Sequence, residues 1–438
     1  MPNERRRQSP VPSSRLGRAV RLGLMAGELA FDGALASVRQ LARGKRPSLA
    51  ANWLSAENAE TLARRLSTLR GAAMKLGQML SLQDELLPAE FRSALAILRS
   101  QAYAMPSAQL HRVLGREYGS GWQGRFAAFD EEPLAAASIG QVHRARTRDG
   151  RELALKIQYP GVARSIDSDV ENMATLLRWL GFLPVELDVA GLAAEAKRQL
   201  RIEADYLQEA EHASRFADLL ADTPGVLVPR VHRDFTTRRI LALDYVESEP
   251  LESLGGAEVS EHLRNSLARR IEDLMFREMF EFHLMQTDPN PANYRYRADG
   301  DQLVLLDFGS TLEIDPPRVE GYRRMCQAII AHDPDRIRDA ALTLGYLRPD
   351  TPAASAEGVI EIIRLVCEPL AHRGAYDFVG SQLPLKARDL GLEVAFRRGL
   401  PTPPPSTMFL HRKLVGTFLL CSMLGARIDV RRLITRYL

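Results

Sequence analysis

The feature that most constrains the fold is a pair of neighbouring segments, HLMQTDPNPANYRY at 283–296 and LVLLDFGST at 303–311. Two prolines in the first segment exclude a continuous helix, because proline lacks an amide hydrogen and its ring clashes with the preceding turn. The second segment is a short aliphatic run, as in a buried strand, that ends in Asp-Phe-Gly. We therefore predict an irregular loop that holds Asp288 and Asn293, followed by a strand that ends at Asp307.

Composition places the chain among globular proteins with more than one core. It has 438 residues, of which 45% are hydrophobic and 26% charged. Its three cysteines, Cys326, Cys367 and Cys421, are widely separated in aliphatic surroundings, which favours buried thiols over a disulfide framework. The nine histidines show no metal-ligand spacing, which argues against a transition-metal site. We expect a cytoplasmic protein.

The first 46 residues are strongly basic. They hold ten Lys and Arg against three acidic residues, a net charge of +7 (10 − 3). We predict a basic, partly disordered arm; the alternative is a segment that rests on an anionic membrane surface. Aromatic residues are too few there to indicate nucleic-acid binding. No run of about 18 uncharged apolar residues occurs, so we predict no transmembrane helix.

Hydrophobic periodicity predicts an α+β protein. Residues 47–107 have helical patterns, at 55–82 and 87–100. The segment 125–161 has short alternating runs around Asp149-Gly150, a strong hairpin signal that predicts an antiparallel sheet. Helical patterns return at 166–180 and 192–220, and two strand-like runs lie in 226–246. From 260 onward the chain is predicted to be mostly helical. The exceptions there are the two segments described above and the Pro-rich linker at 401–406.

Four side chains fit the chemistry of phosphoryl transfer, in the chain order used by kinases. Lys156 ends a predicted strand, LALK, and its ammonium could reach the α- and β-phosphates of a nucleotide. Asp288 and Asn293 have the D-x-x-x-x-N spacing of a catalytic loop, and Asp307 follows Asp288 by 19 residues. We predict that Asp288 orients the nucleophile and that Asn293 and Asp307 hold Mg²⁺.

Three further parts of this predicted site are less specific. The loop PLAAASIGQVH at 133–143, which includes Ala135, Ala136, Ala137 and Ser138, would cover the phosphates. The helix at 195–212 offers several acids to pair with Lys156; Asp205 and Glu209 share a face, and periodicity does not decide which acid points inward. The strand LALDY runs into a polar link, where the Asp244 carbonyl and the Val246 amide could bind adenine.

With these residues in place, the sequence resembles the UbiB/ADCK atypical kinase-like family, especially its coenzyme Q accessory branch and bacterial relatives. The resemblance covers roughly residues 12–311. It rests on five blocks in order: KLGQ at 75–78, AAASIGQVH at 135–143, LALKIQYPG at 153–161, EADYLQEA at 203–210, and QTDPNPAN with LLDFGS. It implies a two-lobed protein-kinase-like fold, with a KxGQ helical extension at 47–107, an N-lobe at 108–246, a C-lobe at 247–438 and extra C-terminal helices.

The resemblance also assigns residues. It makes Glu209 the partner of Lys156, and it pairs Glu203 and Asp205 with a helix carrying Lys75 and Gln78, which would lie over the active site. The three alanines at 135–137 occupy the positions where ordinary kinases have glycines, so we expect a stiffer loop and an altered nucleotide selectivity. The catalytic block reads DPNPAN where the family usually has DPHPGN, but both functional positions are kept.

The implied function is an ATPase or small-molecule kinase that uses ATP and Mg²⁺ and supports ubiquinone (coenzyme Q) biosynthesis at a membrane surface. Its partners would be quinone-precursor lipids and other enzymes of that pathway. We expect no hydrophobic anchor of the kind found in the mitochondrial members, so peripheral membrane contact would depend on basic and amphipathic residues. The oligomeric state, including a homodimer, stays open.

Two other functions fit the same residues. The first is a nucleotide-gated lipid-binding or chaperone-like module, in which ATP switches conformation and no phosphate reaches an acceptor. The second is a relative of the antibiotic or metabolite kinases that share the Asp/Asn loop, against which the KxGQ block weighs.

Overall fold

The computed structural model describes residues 105–179, 189–399 and 407–438. The predicted arm at 1–46, nearly all of the helical extension at 47–107 and the Pro-rich linker at 401–406 lie outside these residues. The described chain forms two units. Unit 1 holds 105–179, 189–211 and 230–245, and unit 2 holds 212–229, 246–399 and 407–438.

The first part of the chain combines helices with a small sheet. In chain order its elements are α1 Ser107–Tyr118, β1 Phe126–Phe129, β2 Ala135–Ala136, β3 Gly140–Thr147, β4 Glu152–Gln158, α2 Val162–Trp179, α3 Val189–Glu203, α4 Tyr206–Leu219, β5 Val226–Leu227 and β6 Ile240–Asp244.

Unit 1 is built on an antiparallel sheet in the order β1-β3-β4-β6, with β2 paired to β3. The hairpin between β3 and β4 turns at Gly150, whose φ of 89° suits glycine. Strand β4 alternates: Leu153, Leu155 and Ile157 are fully buried in the core. Lys156 lies between them in sequence and therefore points to the opposite face of the sheet.

One prediction about the helices was wrong. The predicted single helix at 192–220 is two helices, α3 and α4, because Asp205 interrupts it and accepts a hydrogen bond from the amide of Gln208, in the first turn of α4 (3.1 Å). The two strands predicted in 226–246 are present as β5 and β6, and they belong to different sheets: β5 pairs with Leu303 and Val304 of unit 2, and β6 pairs with β4.

The second part of the chain is mainly helical. A 3₁₀ turn at Leu251–Gly255 lies between its first strand and its first helix. In chain order its elements are β7 Glu249–Pro250, α5 Glu261–Phe280, β8 Leu284–Gln286, β9 Tyr294–Arg297, β10 Gln302–Leu305, β11 Thr311–Glu313, α6 Pro316–Ile330, α7 Pro334–Thr343, α8 Ala353–Val366, α9 Glu368–Ala371, β12 Tyr376–Asp377, α10 Leu383–Arg397, α11 Met408–Met423, β13 Arg427–Ile428 and α12 Val430–Ile434.

Unit 2 contains more strand than the sequence predicted. Four short strands form a sheet in the order β5-β10-β9-β7, and β8 pairs with β11. These pairs place the segments 283–296 and 303–311 next to each other. The loop at 287–293 lies between β8 and β9, and the Asp-Phe-Gly segment lies between β10 and β11. The predicted α+β class is confirmed.

Candidate functional site

Lys156 and Glu209 form a close ion pair within unit 1. The Lys156 ammonium donates to both carboxylate oxygens of Glu209, at 2.7 and 3.0 Å. Glu209 is almost fully buried and Lys156 is largely buried. A buried carboxylate needs such a partner, because leaving it unpaired in the interior costs several kcal/mol. This is the contact that the resemblance implies, and it fixes the direction of the ammonium.

The predicted phosphate loop is a strand edge followed by a tight turn. Ala135 pairs with Val142 across β2 and β3, and the Ala137 amide donates to the Gly140 carbonyl at 2.9 Å. A Cβ at Gly140 would lie 2.4 Å from the carbonyl oxygen of Ile157, so glycine is needed there for close approach of two backbones.

Ser138 and Glu203 meet beside this turn. The Ser138 hydroxyl donates to a carboxylate oxygen of Glu203 at 2.5 Å, which ties the phosphate loop to the end of α3. Lys75 and Gln78, the predicted partners of Glu203 and Asp205, lie outside the described residues. Asp205 caps α4, as described above.

In unit 2, Asp288 and Asn293 are brought together by the loop after β8. The Asn293 side-chain amide donates to the Asp288 carbonyl at 3.0 Å and approaches its carboxylate at 3.4 Å. Pro291 is the first residue of a 3₁₀ turn at Pro291–Asn293 and Pro289 precedes that turn, which Asn290 caps by accepting from the Ala292 amide. Asp288 and Asn293 are half-exposed, as groups that meet a ligand must be.

Gln286 joins this loop to Asp307. Its buried side-chain amide donates to the carbonyl of Asp288 at 2.8 Å and to the carbonyl of Asp307 at 3.2 Å. The Asp307 carboxylate itself accepts from the Gly309 amide at 3.0 Å. One side chain therefore holds the backbone of the two acidic positions in register, and Asp288, Asn293 and Asp307 form a single cluster.

Phe308 fixes the segment after Asp307. It is 2% exposed and packs on Phe216, with ring centroids 4.7 Å apart. Its carbonyl lies 3.2 Å from the ring nitrogen Nδ1 of His212. Because the phenyl ring is held in the core, the neighbouring Asp307 is held at its half-exposed position.

The strand predicted to run into the polar link is β6, which ends at Asp244. In unit 1 the Asp244 carboxylate accepts from His232 at 2.7 Å and from the Arg230 amide at 3.1 Å, so this side chain has a structural task separate from its backbone carbonyl. In unit 2 the Val246 carbonyl accepts from the Ser248 hydroxyl at 3.0 Å. Binding of adenine by these two backbone groups stays a prediction.

The donor set in unit 2 fits a hard divalent cation. Asn293 donates through Nδ2 to the Asp288 carbonyl, and its Oδ1 and the Asp307 carboxylate are the oxygen groups that would serve a cation. Within the described residues, no cluster of three or more His, Cys, Asp or Glu side chains suits a metal. Mg²⁺ takes one or two protein oxygens and completes its shell with waters and phosphates.

Unit 2 also contains an apolar cavity of about 480 Å³ that the sequence did not reveal. Its walls come from α5, α6, α8, α10 and α11. Three of its polar groups contact one another: the Tyr346 hydroxyl lies 2.7 Å from the Tyr322 hydroxyl and 2.6 Å from Nε2 of His411. Burial lowers the pKa of His411, so the imidazole is neutral at pH 7.

Sequence reasoning missed Gln286 and the contact between Ser138 and Glu203. Gln286 sits at the end of an aliphatic run, where a buried amide has no sequence signature. Its position two residues before Asp288 is the one available signal, because a side chain so placed can reach the loop backbone. The partner of Ser138 is 65 residues away, a separation that no local pattern encodes.

Comparison with known proteins decides the family. The ABC1 atypical kinase-like domain matches residues 97–341, which is more than half of the chain. The chain belongs to the ABC1 atypical kinase-like family. The resemblance to UbiB/ADCK proteins is thereby confirmed, and so are the protein-kinase-like fold and the assignment as a kinase-like enzyme. Family membership implies that the chain binds ATP.

Relatives within this family match almost the whole chain. It is 38% identical to the mitochondrial atypical kinase COQ8B of Rattus norvegicus, over 98% of this chain and 82% of that protein. It is 34% identical to the mitochondrial atypical kinase COQ8 of Saccharomyces cerevisiae, over 98% and 85%. The match extends past residue 341, so the C-terminal helices belong to the shared architecture.

A solved structure supports the same fold for this ABC1-family chain. The Rv3197–erythromycin complex from Mycobacterium tuberculosis superposes with a TM-score of 0.59, at 24% identity, over 87% of this chain and 96% of that one. Among the residues that the structure describes, no helix combines the length and apolar character that a membrane crossing needs.

Proposed function

We propose that this chain is an atypical kinase-like ATPase that uses Mg-ATP and supports ubiquinone biosynthesis at a membrane surface. The observation that carries the proposal is the cluster of Asp288, Asn293 and Asp307, tied together by Gln286. Catalytic groups must be held in fixed geometry before the substrate arrives, and this cluster is fixed by hydrogen bonds to its own backbone.

Each residue has a proposed role. The half-exposed Asp288 carboxylate accepts the proton of the attacking hydroxyl or water and orients it. The Lys156 ammonium, held by Glu209, binds the α- and β-phosphates. The backbone of Ala135, Ala136 and Ala137 covers the phosphates together with Ser138, and the Asp244 carbonyl and Val246 amide bind adenine.

Asn293 and Asp307 are the proposed holders of Mg²⁺. When bound, the ion neutralises charge on the β- and γ-phosphates. The chain's own part is to keep the two oxygens in place, through the contact of Asn293 with Asp288 and the contact of Asp307 with Gly309.

The ubiquinone role extends from the COQ8 relatives to this chain as part of the proposal. Quinone-precursor lipids and enzymes of the same pathway are the proposed partners, and peripheral membrane contact is the proposed location. The basic segment at 1–46 and the KxGQ residues Lys75 and Gln78, which would provide the membrane contact and the cover over the site, lie outside the described residues.

The decisive experiment replaces Asp288 with asparagine, which keeps the size and removes the base. In the purified protein, Asp288→Asn should lower ATP turnover by about 100-fold or more. In a strain that lacks this chain, the variant should fail to restore ubiquinone. Wild-type turnover and wild-type quinone levels with Asp288→Asn would overturn the catalytic proposal.

The apolar cavity favours a second candidate, a nucleotide-gated lipid-binding module. Its size and walls suit part of an apolar chain, such as the tail of a quinone precursor. On this alternative, Asp288→Asn restores ubiquinone even though it does not hydrolyse ATP. Filling the cavity with Ile363→Trp would then abolish both the restoration and the binding of a polyprenylphenol, with ATP binding unchanged.

A further inference from the structure

Helix α11, beyond the segment that matches the ABC1 domain, lies directly against the catalytic loop of unit 2. Arg412 is the first contact. Its Nε donates to the backbone carbonyl of Thr287 at 2.8 Å, and its Nη2 donates to the Ser310 hydroxyl at 3.1 Å. Thr287 immediately precedes Asp288, and Ser310 follows the Asp-Phe-Gly segment, so one guanidinium spans both halves of the cluster.

Thr287 and Ser310 are themselves joined. The Thr287 amide donates to the Ser310 carbonyl at 2.7 Å, and the two hydroxyls lie 2.9 Å apart. The planar, five-donor guanidinium of arginine can hold two acceptors at once in a fixed relation. A lysine at this position would place a single charge there without that geometry.

Lys413, the next residue, anchors the helix under the same loop. Its ammonium is 2.9 Å from the Glu278 carboxylate of α5, and both side chains are nearly inaccessible. The ammonium also lies 3.4 Å from the side-chain oxygen of Gln286 and 3.4 Å from the Tyr294 hydroxyl. Gln286 is the side chain whose amide holds the backbone of Asp288 and Asp307, so Lys413 orients the amide that positions both.

Gly416, one turn further along α11, is where the helix comes closest to Pro289 of the catalytic loop. A Cβ at this position would lie 1.9 Å from Cγ of Pro289 and 2.6 Å from its Cβ. Side-chain atoms do not pack so closely, and the proline ring cannot rotate away because its φ is fixed. Any side chain larger than glycine at 416 must therefore displace either the helix or the loop beside Asp288.

From these three contacts we propose that α11 is a positioning element for the catalytic loop, in which Arg412, Lys413 and Gly416 set the placement of Asp288 relative to Asp307. None of the three touches the nucleotide in this assignment. The inference rests on the proposed function, because it is the phosphoryl-transfer geometry that the helix maintains. A displacement of about 1 Å in a catalytic group can lower the rate about 100-fold.

The test compares two matched pairs of variants in the full-length chain. Arg412→Met is paired with Arg431→Met, since Arg431 is also half-buried but donates to the carbonyls of Ala371 and Ile330. Gly416→Ala is paired with Gly391→Ala, because a Cβ at the helical Gly391 meets nothing within 4 Å.

We expect Arg412→Met and Gly416→Ala each to lower kcat for ATP hydrolysis by about 10- to 100-fold. Their KM for Mg-ATP should stay within about two-fold of wild type, since the lost effect concerns the transition state and not binding. Arg412→Lys should rescue kcat only in part. Arg431→Met and Gly391→Ala should keep wild-type kcat.

Hydrogen–deuterium exchange provides a readout that does not depend on turnover. Arg412→Met should speed exchange of the amides in 286–293, and Arg431→Met should not. The proposal is overturned if Arg412→Met leaves that exchange and kcat unchanged, or if each variant and its control lose kcat equally. A failure of the proposed function can be told apart from a failure of this proposal about α11. In that case Asp288→Asn keeps wild-type turnover, and the exchange measurement still reports whether α11 holds the loop.

Discussion

Removing the buried ammonium group of Lys413 should lower the stability of the protein by an amount that depends on pH. Lys413→Met keeps the length and apolar stem of the side chain but leaves the Glu278 carboxylate, 1% exposed, without its ammonium. Breaking a buried pair from one side costs about 3–5 kcal/mol, which is a large fraction of the stability of a typical domain. We therefore expect the urea unfolding midpoint of Lys413→Met to fall sharply at pH 8.

The pH dependence follows from Glu278. Burial raises the pKa of its carboxyl, and Lys413 opposes that rise. Without Lys413 the folded-state pKa rises further, so the folded protein takes up a proton that the unfolded chain does not hold at the same pH. Stability of the variant is then retained at low pH and lost as pH rises through the folded pKa, and the cost should be smaller at pH 5.5 than at pH 8.

Two further variants check this reasoning. Lys413→Met combined with Glu278→Gln removes both charges and should recover most of the lost stability. Arg427→Met breaks an exposed pair with Asp377 and should cost less than about 1 kcal/mol. Two results would show that the unpaired Glu278 carboxylate is not the cause. In the first, Lys413→Met lowers the free energy of unfolding no more than Arg427→Met at pH 8. In the second, the double variant is as unstable as Lys413→Met alone.

Three other predictions concern single residues. Burial raises the pKa of Glu272 from 4.5 to about 7. The free energy of unfolding should therefore fall by up to about 3 kcal/mol as pH rises from about 4.5 through 7. In denaturation curves measured across this pH range, Glu272→Gln should show a smaller dependence on pH. Lys156→Met should lower ATP turnover by about 100-fold or more in a steady-state assay, because the phosphates lose their cation; turnover near wild type would contradict the role of Lys156. Gly140→Ala should lower stability by about 1–3 kcal/mol in thermal unfolding, since its Cβ would meet the Ile157 carbonyl at 2.4 Å, while Gly124→Ala, which meets nothing within 4 Å, should not.

The sequence predicted the parts of the fold that local signals encode. The turn at Asp149-Gly150 and the alternation through Lys156 predicted the hairpin of β3 and β4, because turn chemistry and a period of two act over a few residues. The short strands of unit 2 were missed, since two- to four-residue strands such as β7 and β11 are too brief to show any period. The break at Asp205 was missed because helical spacing continues on both sides of it.

Local signals in the sequence indicated the residues of the candidate site but not the distant contacts that hold them. Spacing alone related Asp288 to Asn293, because both lie on one loop, and the structure shows their contact. The choice of Glu209 over Asp205 as the partner of Lys156 required a resemblance, since the two acids share a helix face. Arg412 and Gly416 could not be found, because they act on the loop from more than 100 residues away in the chain.

All three cysteines lie in the described residues and are free thiols, as predicted from their spacing. Cys421 is buried, whereas Cys326 and Cys367 are half-buried and line the apolar cavity. Burial raises the pKa of Cys367 to about 12, so its thiol is protonated at pH 7 and is a weak nucleophile.

The central proposal is that this chain binds ATP with a Mg²⁺ ion held by Asn293 and Asp307. Isothermal titration calorimetry with the full-length chain tests it most directly. We expect ATP binding to strengthen when Mg²⁺ is added, and this strengthening to be lost in Asp307→Ala. Titrations that show no heat with any adenine nucleotide, or the same affinity with Mg²⁺ and with a chelator, would contradict it.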